Sequence, residues 1–332
     1  MTKSGDPMQA TPSGKPLVCG PLAAVTVASG DPARMRRMMQ GALALTPSFE
    51  RFEGARAVRL ADHWGIEPRA SIEVTVFKRP EVDDAVTLRV LHVSPSAPIA
   101  RPNLDCRYLG ALGFGLAVSG LRERHAIVEQ YGFTARAGVT VMAFPRADGT
   151  TYDVGETHWV APDEFLVLGV DRSDMTPIGS IDSVLGMGGP NYSSALVGDV
   201  ARTGAFLDQI LGLELRREFT FESEGPQGGM GLPKGTRVHF QQWFAPDTRS
   251  GYLVIMQLLD NALPAPQALG LSSRGIGMWS FRAADVDLVF QRARLAGVSV
   301  LREPGGLTLP GAGEVSAMEI ATPDGFPIEI YS

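Results

Sequence analysis

The chain has 332 residues, of which 44% are hydrophobic and 20% are charged, so it is long enough for two globular domains with sizeable cores. A formal charge of −6 without a cluster of Lys or Arg excludes a basic surface for nucleic acid or anionic lipid, and no apolar run is long enough to span a membrane. The two cysteines, Cys19 and Cys106, lack CxxC or CxxH spacing, which excludes a zinc motif and favours a reducing cytoplasm.

The chain opens with an arm and a first strand–helix unit. Residues 1–16 are polar and rich in Gly, Pro and Ser, which predicts a flexible N-terminal arm without the apolar core of a signal peptide. Residues 22–28 predict a strand, and residues 31–43 predict a helix capped by Asp31. Three further strands are predicted at 57–60, 71–77 and 86–93.

Three more units repeat this order of elements. The second has a predicted helix at 121–131, and the Gly- and Pro-containing residues 179–190 predict a linker after it. The third has a helix at 199–211 and the fourth a helix at 285–295. The strands of these units are predicted at 112–118, 139–144, 152–154, 164–170, 192–197, 238–244, 252–259, 278–281, 315–320 and 327–331.

The two halves of the chain are related by duplication. Gly30-Asp31 and Gly198-Asp199 both precede a predicted helix, and they lie 168 positions apart. The same offset aligns Arg89 with Gln257 at the end of the following strands. An offset that holds over about seventy residues indicates an internal repeat.

This arrangement resembles the vicinal oxygen chelate superfamily, which includes glyoxalase I, the extradiol dioxygenases and the bleomycin resistance proteins. The likeness rests on four units with strand–Asp–helix starts and on the ending TPDGFPIEI at residues 322–330. It implies an α+β fold in which four βαβββ units pair into two cup-shaped domains. We therefore expect residues 17–178 to form a structural domain, and residues 191–332 to form the domain with the active cup.

The resemblance also indicates where metal ligands would lie. In metal-using families they come from the first and last strands of each unit. Those eight positions hold Ala24, Arg89, Gly113, Leu168, Tyr192, Gln257, Met278 and Glu329. Of these residues only Glu329 is a good ligand for a hard metal ion, and a mononuclear Fe(II) site needs two His and one carboxylate. The sequence therefore predicts that the metal site is lost from both cups and that no cofactor is bound.

The strand at 238–244 carries a further candidate group. Alternation of side chains places His239, Gln241 and Trp243 on one face. Polar and aromatic groups of this kind favour a pocket wall in the active cup. A hydrogen-bonded His near a sheet edge is the alternative. Residues 222–235 contain five glycines and predict either a flap over the cup or a long hairpin loop.

A catalytic set follows for the cup expected in the second half. Glu329, Tyr192 and His239 are the candidate catalytic residues. Burial without a cation is expected to raise the pKa of Glu329 and suit it to proton transfer, and Tyr192 is expected to donate to an oxyanion. The alternative is a hydrogen-bonded Glu329 that performs no chemistry. The candidate substrate-binding residues are Gln257, Met278, Gln241, Trp243 and Ser194.

These residues favour a metal-independent enzyme that moves protons, an isomerase or a lyase, on an apolar or aromatic oxygenated small molecule. One alternative is a divergent metal-dependent relative of the extradiol dioxygenases or glyoxalase that uses His239 and Glu329. The other is a non-catalytic ligand-binding protein of the bleomycin-resistance type. Four units in one chain complete two cups, so we expect a monomer or a homodimer with no nucleic-acid or membrane partner.

Overall fold

A computed structural model describes residue 14 and residues 16–145, 149–172, 177–225, 228–260 and 269–332. Most of the expected N-terminal arm lies outside these residues. The described part contains four βαβββ units in two curled eight-stranded sheets, so the predicted fold class is confirmed. Within this part, no helix is both long and apolar enough to cross a membrane.

The first and second units span the N-terminal half. The first contains β1 (Cys19–Ser29), α1 (Pro32–Arg36, continued by a π-helical turn at Arg37–Ala42), β2 (Thr46–Glu53), α2 (Ala55–His63), β3 (Ser71–Lys78) and β4 (Thr87–His92). The second follows a 3-10 turn (Pro102–Leu104) and contains β5 (Gly110–Val118), α3 (Leu121–Gln130), β6 (Thr140–Pro145), β7 (Thr151–Val160) and β8 (Leu166–Asp171).

The third and fourth units repeat the pattern. The third contains β9 (Met187–Leu196), α4 (Val200–Gln209), β10 (Glu214–Glu222), β11 (Arg237–Phe244) and β12 (Tyr252–Leu258). The fourth contains β13 (Gly275–Ala283), α5 (Val286–Leu295), β14 (Val300–Leu309), β15 (Gly313–Ala321) and β16 (Pro327–Tyr331).

The units pair in a different order from the expected one. One sheet has the order β14-β15-β16-β13-β1-β4-β3-β2 and joins the first unit to the fourth. The other has the order β10-β11-β12-β9-β5-β8-β7-β6 and joins the second unit to the third. The expected cups, made of units one and two and of units three and four, are therefore corrected. The physical reason lies at 179–190, because β9 begins inside this expected linker and pairs at once with β5.

Aspartates cap three of the four unit helices, as their positions predict. Asp31 accepts a hydrogen bond from the Arg34 amide, and Asp199 accepts two at the start of α4. Asp285 accepts one from the Leu288 amide. Each carboxylate satisfies donors that the first helical turn leaves unpaired, and so fixes where the chain leaves its strand.

Helix α2 is an element that the sequence pattern did not reveal. Residues 57–60 were expected to form a strand, but they lie in a helix whose apolar side chains Ala57, Leu60 and Ala61 are fully buried. Their spacing of three and four residues makes one helical stripe, which a four-residue window is too short to separate from a strand. The helix packs on the concave side of the sheet formed by units one and four.

One large apolar core joins the convex faces of both sheets to the four unit helices. Two smaller apolar clusters lie inside the cups, one in each. The sheets also contact directly, because the Trp279 indole donates a 2.9 Å hydrogen bond to Ser193 Oγ, which itself donates to the Gly113 carbonyl. The two cups therefore open away from a shared centre.

Two cups as candidate functional sites

We name the concave faces by their units: the 1–4 cup and the 2–3 cup. The residues expected in one site divide between them. Tyr192 and Ser194 lie on β9 and face the 2–3 cup, whereas Met278 and Glu329 lie on β13 and β16 and face the 1–4 cup. The expectation that these residues share one cup is wrong, because the third and fourth units belong to different sheets.

The face of β11 that carries His239, Gln241 and Trp243 does not line a cup. Trp243 packs against α4, where a Cβ at Gly204 would lie 2.7 Å from its indole. Glu218 on the edge strand β10 accepts hydrogen bonds from the Gln241 amide (2.6 Å) and lies 2.8 Å from His239 Nε2. The expected pocket wall is therefore corrected to a helix-packing face, with His239 hydrogen-bonded near the sheet edge.

Gln257 also points away from its cup. Its side-chain oxygen accepts a 3.0 Å hydrogen bond from the amide of Val200, the first residue of α4. Its neighbours Met256 and Leu258 take the concave side. Gln257 therefore anchors a helix and does not orient a substrate, which corrects the role expected for it.

A buried ion pair lies at the centre of the 1–4 cup. Glu329 is fully buried, and its Oε1 accepts a 2.5 Å hydrogen bond from Nη1 of Arg89, which is 1% exposed. The same nitrogen donates to Ser280 Oγ over 3.2 Å. The other carboxylate oxygen accepts a 3.0 Å hydrogen bond from the Trp64 indole and lies 3.3 Å from His63 Nε2. Polar groups from β4, β13 and the C-terminal end of α2 thus surround one carboxylate.

This pair reverses the protonation expected for Glu329. Burial raises the pKa of a carboxyl, but the charge of Arg89, with smaller effects of His63 and Trp64, outweighs burial and holds the pKa of Glu329 well below its usual range. The expected rise in its pKa is therefore wrong. Glu319, its partner in the β15–β16 register, shows the opposite shift, since burial raises its pKa to about 7.

Helix α2 covers the 1–4 cup. Its apolar side chains pack into the cup against strands of both units, among them Met278 and Leu309, and Trp64 follows directly after it. His63 is 6% exposed and Glu319 is 3% exposed. The polar centre of this cup is therefore sealed from solvent by a segment of the chain itself.

Aromatic rings form the floor of the 2–3 cup. Tyr192 stacks on Tyr252 with ring centroids 4.9 Å apart, and Tyr252 stacks on Phe244 at 4.5 Å. The Tyr192 ring fills the space above Gly115, where a Cβ would lie 1.9 Å from a ring carbon. The floor is thus a stack of aromatic rings, and it depends on a glycine in β5.

An acidic group lies on the wall of the 2–3 cup. Glu156 and His158 sit on β7 opposite Val170 and Leu168, with 3.8 Å between Glu156 Oε2 and His158 Nε2. Burial raises the pKa of Glu156 to about 7, although its side chain is 23% exposed. Burial and then the charge of Arg136 lower the pKa of His158 to about 4, so this imidazole is neutral at pH 7 and does not neutralise Glu156.

Two tyrosines lie near this acid. Burial raises the pKa of Tyr192 well above its usual value, and the nearby Tyr252 and Glu156 raise it further. Burial and Glu156 also raise the pKa of Tyr252. Both phenols are therefore protonated at neutral pH, and both lie close enough to Glu156 to feel its charge.

Two buried polar atoms in the 2–3 cup have no hydrogen-bond partner among the residues described: Ser194 Oγ and Gln242 Oε1. They lie on β9 and β11, on either side of Val254 in the central strand β12. An unsatisfied buried polar group costs about 1–3 kcal/mol. These two atoms are therefore candidates for hydrogen bonds to a molecule bound in the cup.

The rim of the 2–3 cup is aromatic and only half-buried. Phe219 lies between Phe240 and Phe221, with centroid distances of 4.6 and 5.9 Å. Part of the segment 222–235 covers the cup beside them, since Leu232 joins its apolar cluster and Gly229 packs against His158. The described part of this segment is a hairpin loop, because the Ser223 amide donates to the Thr236 carbonyl and the Gly235 amide donates to the Ser223 carbonyl. Residues 226–227 lie outside the described part.

Sequence reasoning missed Glu156, although a signal was present. Residues 151–160 form one long strand in which Val154, Glu156, His158 and Val160 alternate on the same face. The sequence predicts a strand only at 152–154, so Glu156 and His158 lie outside the predicted strand and their alternation is not recognised. The unit pairing was also needed, because Glu156 and Tyr192 come from units that were assigned to different cups.

Comparisons with known proteins agree with this architecture. Residues 189–330 match the family described as Glyoxalase/Bleomycin resistance protein/Dioxygenase superfamily. The chain carries a domain of this superfamily. The matched segment covers the third and fourth units, so it contributes to both cups. A comparison with curated proteins gave no match.

Solved structures extend the likeness to nearly the whole chain. Glyoxalase I from Zea mays has 13% sequence identity and a TM-score of 0.61, over 94% of this chain and 92% of that chain. A Bacillus subtilis protein with a provisional dioxygenase description has 13% identity and a TM-score of 0.54, over 95% of this chain and 86% of that one. At this identity the likeness shows the fold alone.

The positions at which this superfamily holds metals do not fit a metal ion here. In the 2–3 cup they carry Gly113, Leu168, Tyr192 and the outward-facing Gln257. In the 1–4 cup the one carboxylate, Glu329, is bound by the cation of Arg89. Within the described ranges, no three His, Cys, Asp or Glu side chains come together as a metal site requires. The donor set in both cups is therefore unsuited to a divalent ion.

Proposed function

We propose that the protein is a metal-independent enzyme of the isomerase or lyase type, and that the 2–3 cup is its active site. The observation that carries this proposal is the carboxyl of Glu156, which lies near Tyr192 and Tyr252 and has its pKa raised to about 7 by burial. A general acid–base group works best when its pKa lies near the working pH.

Glu156 would take and return the proton. Tyr192 would donate a hydrogen bond to the oxyanion that forms when a proton leaves the carbon next to a carbonyl. Ser194 Oγ and Gln242 Oε1, both without partners in the described structure, would hold polar groups of the substrate. Tyr192 and Ser194 keep the kinds of role that the sequence predicts, whereas Glu156 takes the role expected for Glu329.

The aromatic lining supports an apolar or aromatic oxygenated substrate. A planar ring can stack on the half-buried rim formed by Phe219 and Phe240. The faces of Tyr252 are already covered by Tyr192 and Phe244, so the floor offers ring edges. Few converging polar groups and a predominantly apolar wall are typical of small-molecule sites.

A binding protein without chemistry is the second candidate function. The half-buried aromatic rim favours it, because ring stacking holds a ligand without any proton transfer. The two candidates differ at Glu156. An enzyme needs its ionisation, whereas a binding protein keeps its ligand when this carboxyl becomes an amide.

The same proposal includes a cytoplasmic protein that acts as a monomer or a homodimer. Support for a reducing compartment comes from Cys19 and Cys106, which are both free and buried. Light scattering of the purified protein at several concentrations tests the oligomeric state, and a larger assembly would contradict the proposal.

The deciding experiment follows deuterium uptake. A panel of aromatic ketones and 2-keto acids is incubated with the protein in D₂O, and exchange at carbon is read by proton NMR. We expect the native protein to exchange at least one compound, and Glu156→Gln to lose about 10²–10⁴-fold in rate. Far-UV circular dichroism checks that the variant is folded.

Glu319→Gln is the matched control, because it makes the same change at a buried acid whose pKa is also raised to about 7, but in the other cup. It should leave exchange unchanged. An equal loss in both variants, or full activity in Glu156→Gln, would refute the assignment. Compounds that bind the native protein and Glu156→Gln equally, without exchange in either, would favour the binding protein.

A further inference from the structure

The 1–4 cup contains a cation where the metal positions of the superfamily converge. These positions fall on β1, β4, β13 and β16, and here they hold Ala24, Arg89, Met278 and Glu329. The four strands are consecutive in the sheet, in the order β16-β13-β1-β4. The curl of the sheet lets Arg89 on β4 reach Glu329 across the two strands between them.

We propose that the guanidinium of Arg89 has replaced the metal ion as the internal cation of the 1–4 cup, and that a carboxylate at this one position would turn the cup into a divalent-cation site. The inference concerns a different cup from the proposed active site and does not depend on it.

The environment of Glu329 supports a replaced ion. A fully buried carboxylate needs a positive charge, and Arg89 is the cation that the described structure places against it. Ser280, Trp64 and His63 complete the shell. Of these groups, Glu329, His63 and Ser280 carry lone pairs that a metal ion can use, whereas the Trp64 indole only donates a hydrogen bond. The position beside Glu329 is taken by the guanidinium of Arg89.

The contacts around Glu329 also explain why the guanidinium of Arg89 has a structural role. Trp64 and His63 come from α2 and the residue after it, so the helix that closes the cup also contacts the bound carboxylate. The cation therefore cannot reach a substrate in the closed cup. Its function is to hold Glu329 and, through it, α2.

Two side chains near Arg89, Glu329 and His63, can bind a metal ion once the guanidinium is removed and a third ligand is added. The substitution Arg89→Glu would place a shorter, anionic side chain opposite Glu329, across the space that the guanidinium now fills. His63 Nε2 is 3.3 Å from Glu329 and has no hydrogen-bond partner in the described part of the chain. Two carboxylates and an imidazole suit Mn²⁺ or Zn²⁺.

The test compares R89E with the native protein and with R89Q, which removes the cation without adding a ligand. Each protein is loaded with Mn²⁺ or Zn²⁺, passed through a desalting column and analysed for metal content and thermal unfolding. We expect about one ion per chain in R89E, none retained by the other two, and a metal-dependent rise in Tm in R89E alone. R89E combined with His63→Ala should bind the ion at least tenfold more weakly.

Two results would overturn the proposal. One is folded R89E that retains no more metal than R89Q. The other is R89E that remains unfolded in saturating Mn²⁺ and Zn²⁺, because the metal should restore the missing charge.

A second measurement does not depend on R89E. If Arg89 serves to neutralise Glu329, R89Q should be less stable than the double variant R89Q/E329Q, in which no charge is left unpaired. Urea unfolding of the native protein, both single variants and the double variant gives this coupling. Additive losses in the double variant would also overturn the proposal.

Discussion

The two cups are built from the same repeated unit but differ in what fills them. In the 1–4 cup the acidic centre is ion-paired, hydrogen-bonded and covered by α2. In the 2–3 cup Glu156 is partly exposed and lies beside a stack of tyrosines under an aromatic rim. The comparison shows that burial alone does not make an acid a candidate for catalysis. The carboxyl must also lack a fixed counter-ion and a helix that covers it.

One inserted element accounts for most of this difference. Among the described residues, α2 lies between the second and third strands of the first unit, and the other three units have no helix in the equivalent place. It brings Trp64 and His63 onto Glu329. In the third unit the equivalent connection is the glycine-rich segment 222–235, whose described part includes Leu232 and Gly229 over the cup. The same fold thus carries a cup covered by a helix on one side and a cup covered in part by a glycine-rich loop on the other.

Replacement of Arg89 should give the largest loss of stability. Arg89→Met leaves Glu329 buried without its cation, and we expect a loss of about 3–5 kcal/mol in the free energy of unfolding. Arg136→Met in the 2–3 cup should cost less, because Arg136 donates mainly to carbonyl oxygens at a half-buried site. Urea titration measures the free energy of unfolding of both variants. Equal losses would contradict the proposed difference between the two cups.

Glu156 and Glu319 should change the stability with pH in the opposite direction to Glu329. Glu156 and Glu319 have a pKa of about 7 when folded and an ordinary value of 4.5, so the folded state holds more protons between these values. Stability therefore falls as pH rises from about 4.5 to about 7, by at most about 1.4 kcal/mol per pH unit for each group.

Glu156→Gln and Glu319→Gln should each flatten this fall, as measured by urea unfolding at a series of pH values. Glu329 acts in the opposite sense. Its depressed pKa contributes stability that is complete above its ordinary value and is lost as the solution becomes more acidic. An unchanged slope in both variants would contradict the raised pKa values.

A methyl group at Gly115 should disturb the floor of the 2–3 cup. The new Cβ would meet the Tyr192 ring at 1.9 Å, so Gly115→Ala must displace this ring. We expect a loss of about 1–3 kcal/mol from overpacking and a loss of ligand binding. Unfolding and ligand-induced Tm shifts measure the two effects. The further change Tyr192→Ala should relieve the strain without restoring the ligand site, and a Gly115→Ala variant that binds normally would argue against this floor.

His239 should matter least. Its imidazole pairs with Glu218 on an accessible part of the convex face, away from both cups. Exposed pairs of this kind contribute little, so His239→Ala should change stability by about 0.5 kcal/mol or less and leave deuterium exchange unchanged. A strong loss of deuterium exchange in a folded His239→Ala variant would show that His239 takes part in the reaction.

The unit structure could be predicted from the sequence because its signals are local. Asp31, Asp199 and Asp285 cap helices within the next few residues, and the duplication compares the chain with itself. The partner of each unit could not be predicted in this way. Four similar units can pair in more than one order, and the choice depends on contacts such as that of β1 with β13, which are distant in sequence.

The candidate site was only partly predictable for the same reason. Tyr192 and Ser194 were correctly placed on a concave face, because strand alternation is local. The state of Glu329 depends on Arg89 and Trp64, which lie hundreds of positions earlier in the chain and meet it only after the outer units pair. Electrostatic partners of this kind have no spacing signature in the sequence.

Units two and three pair between the paired units one and four, and this fixes the order in which the two sheets can form during synthesis. The second and third units are neighbours, so their sheet can close as soon as both have left the ribosome. Strand β1 must wait for β13. At about 5–20 residues per second, the last unit follows the first by roughly 10–50 s. During that interval the nascent first unit presents an open strand edge, which exposes β1 to pairing with other chains.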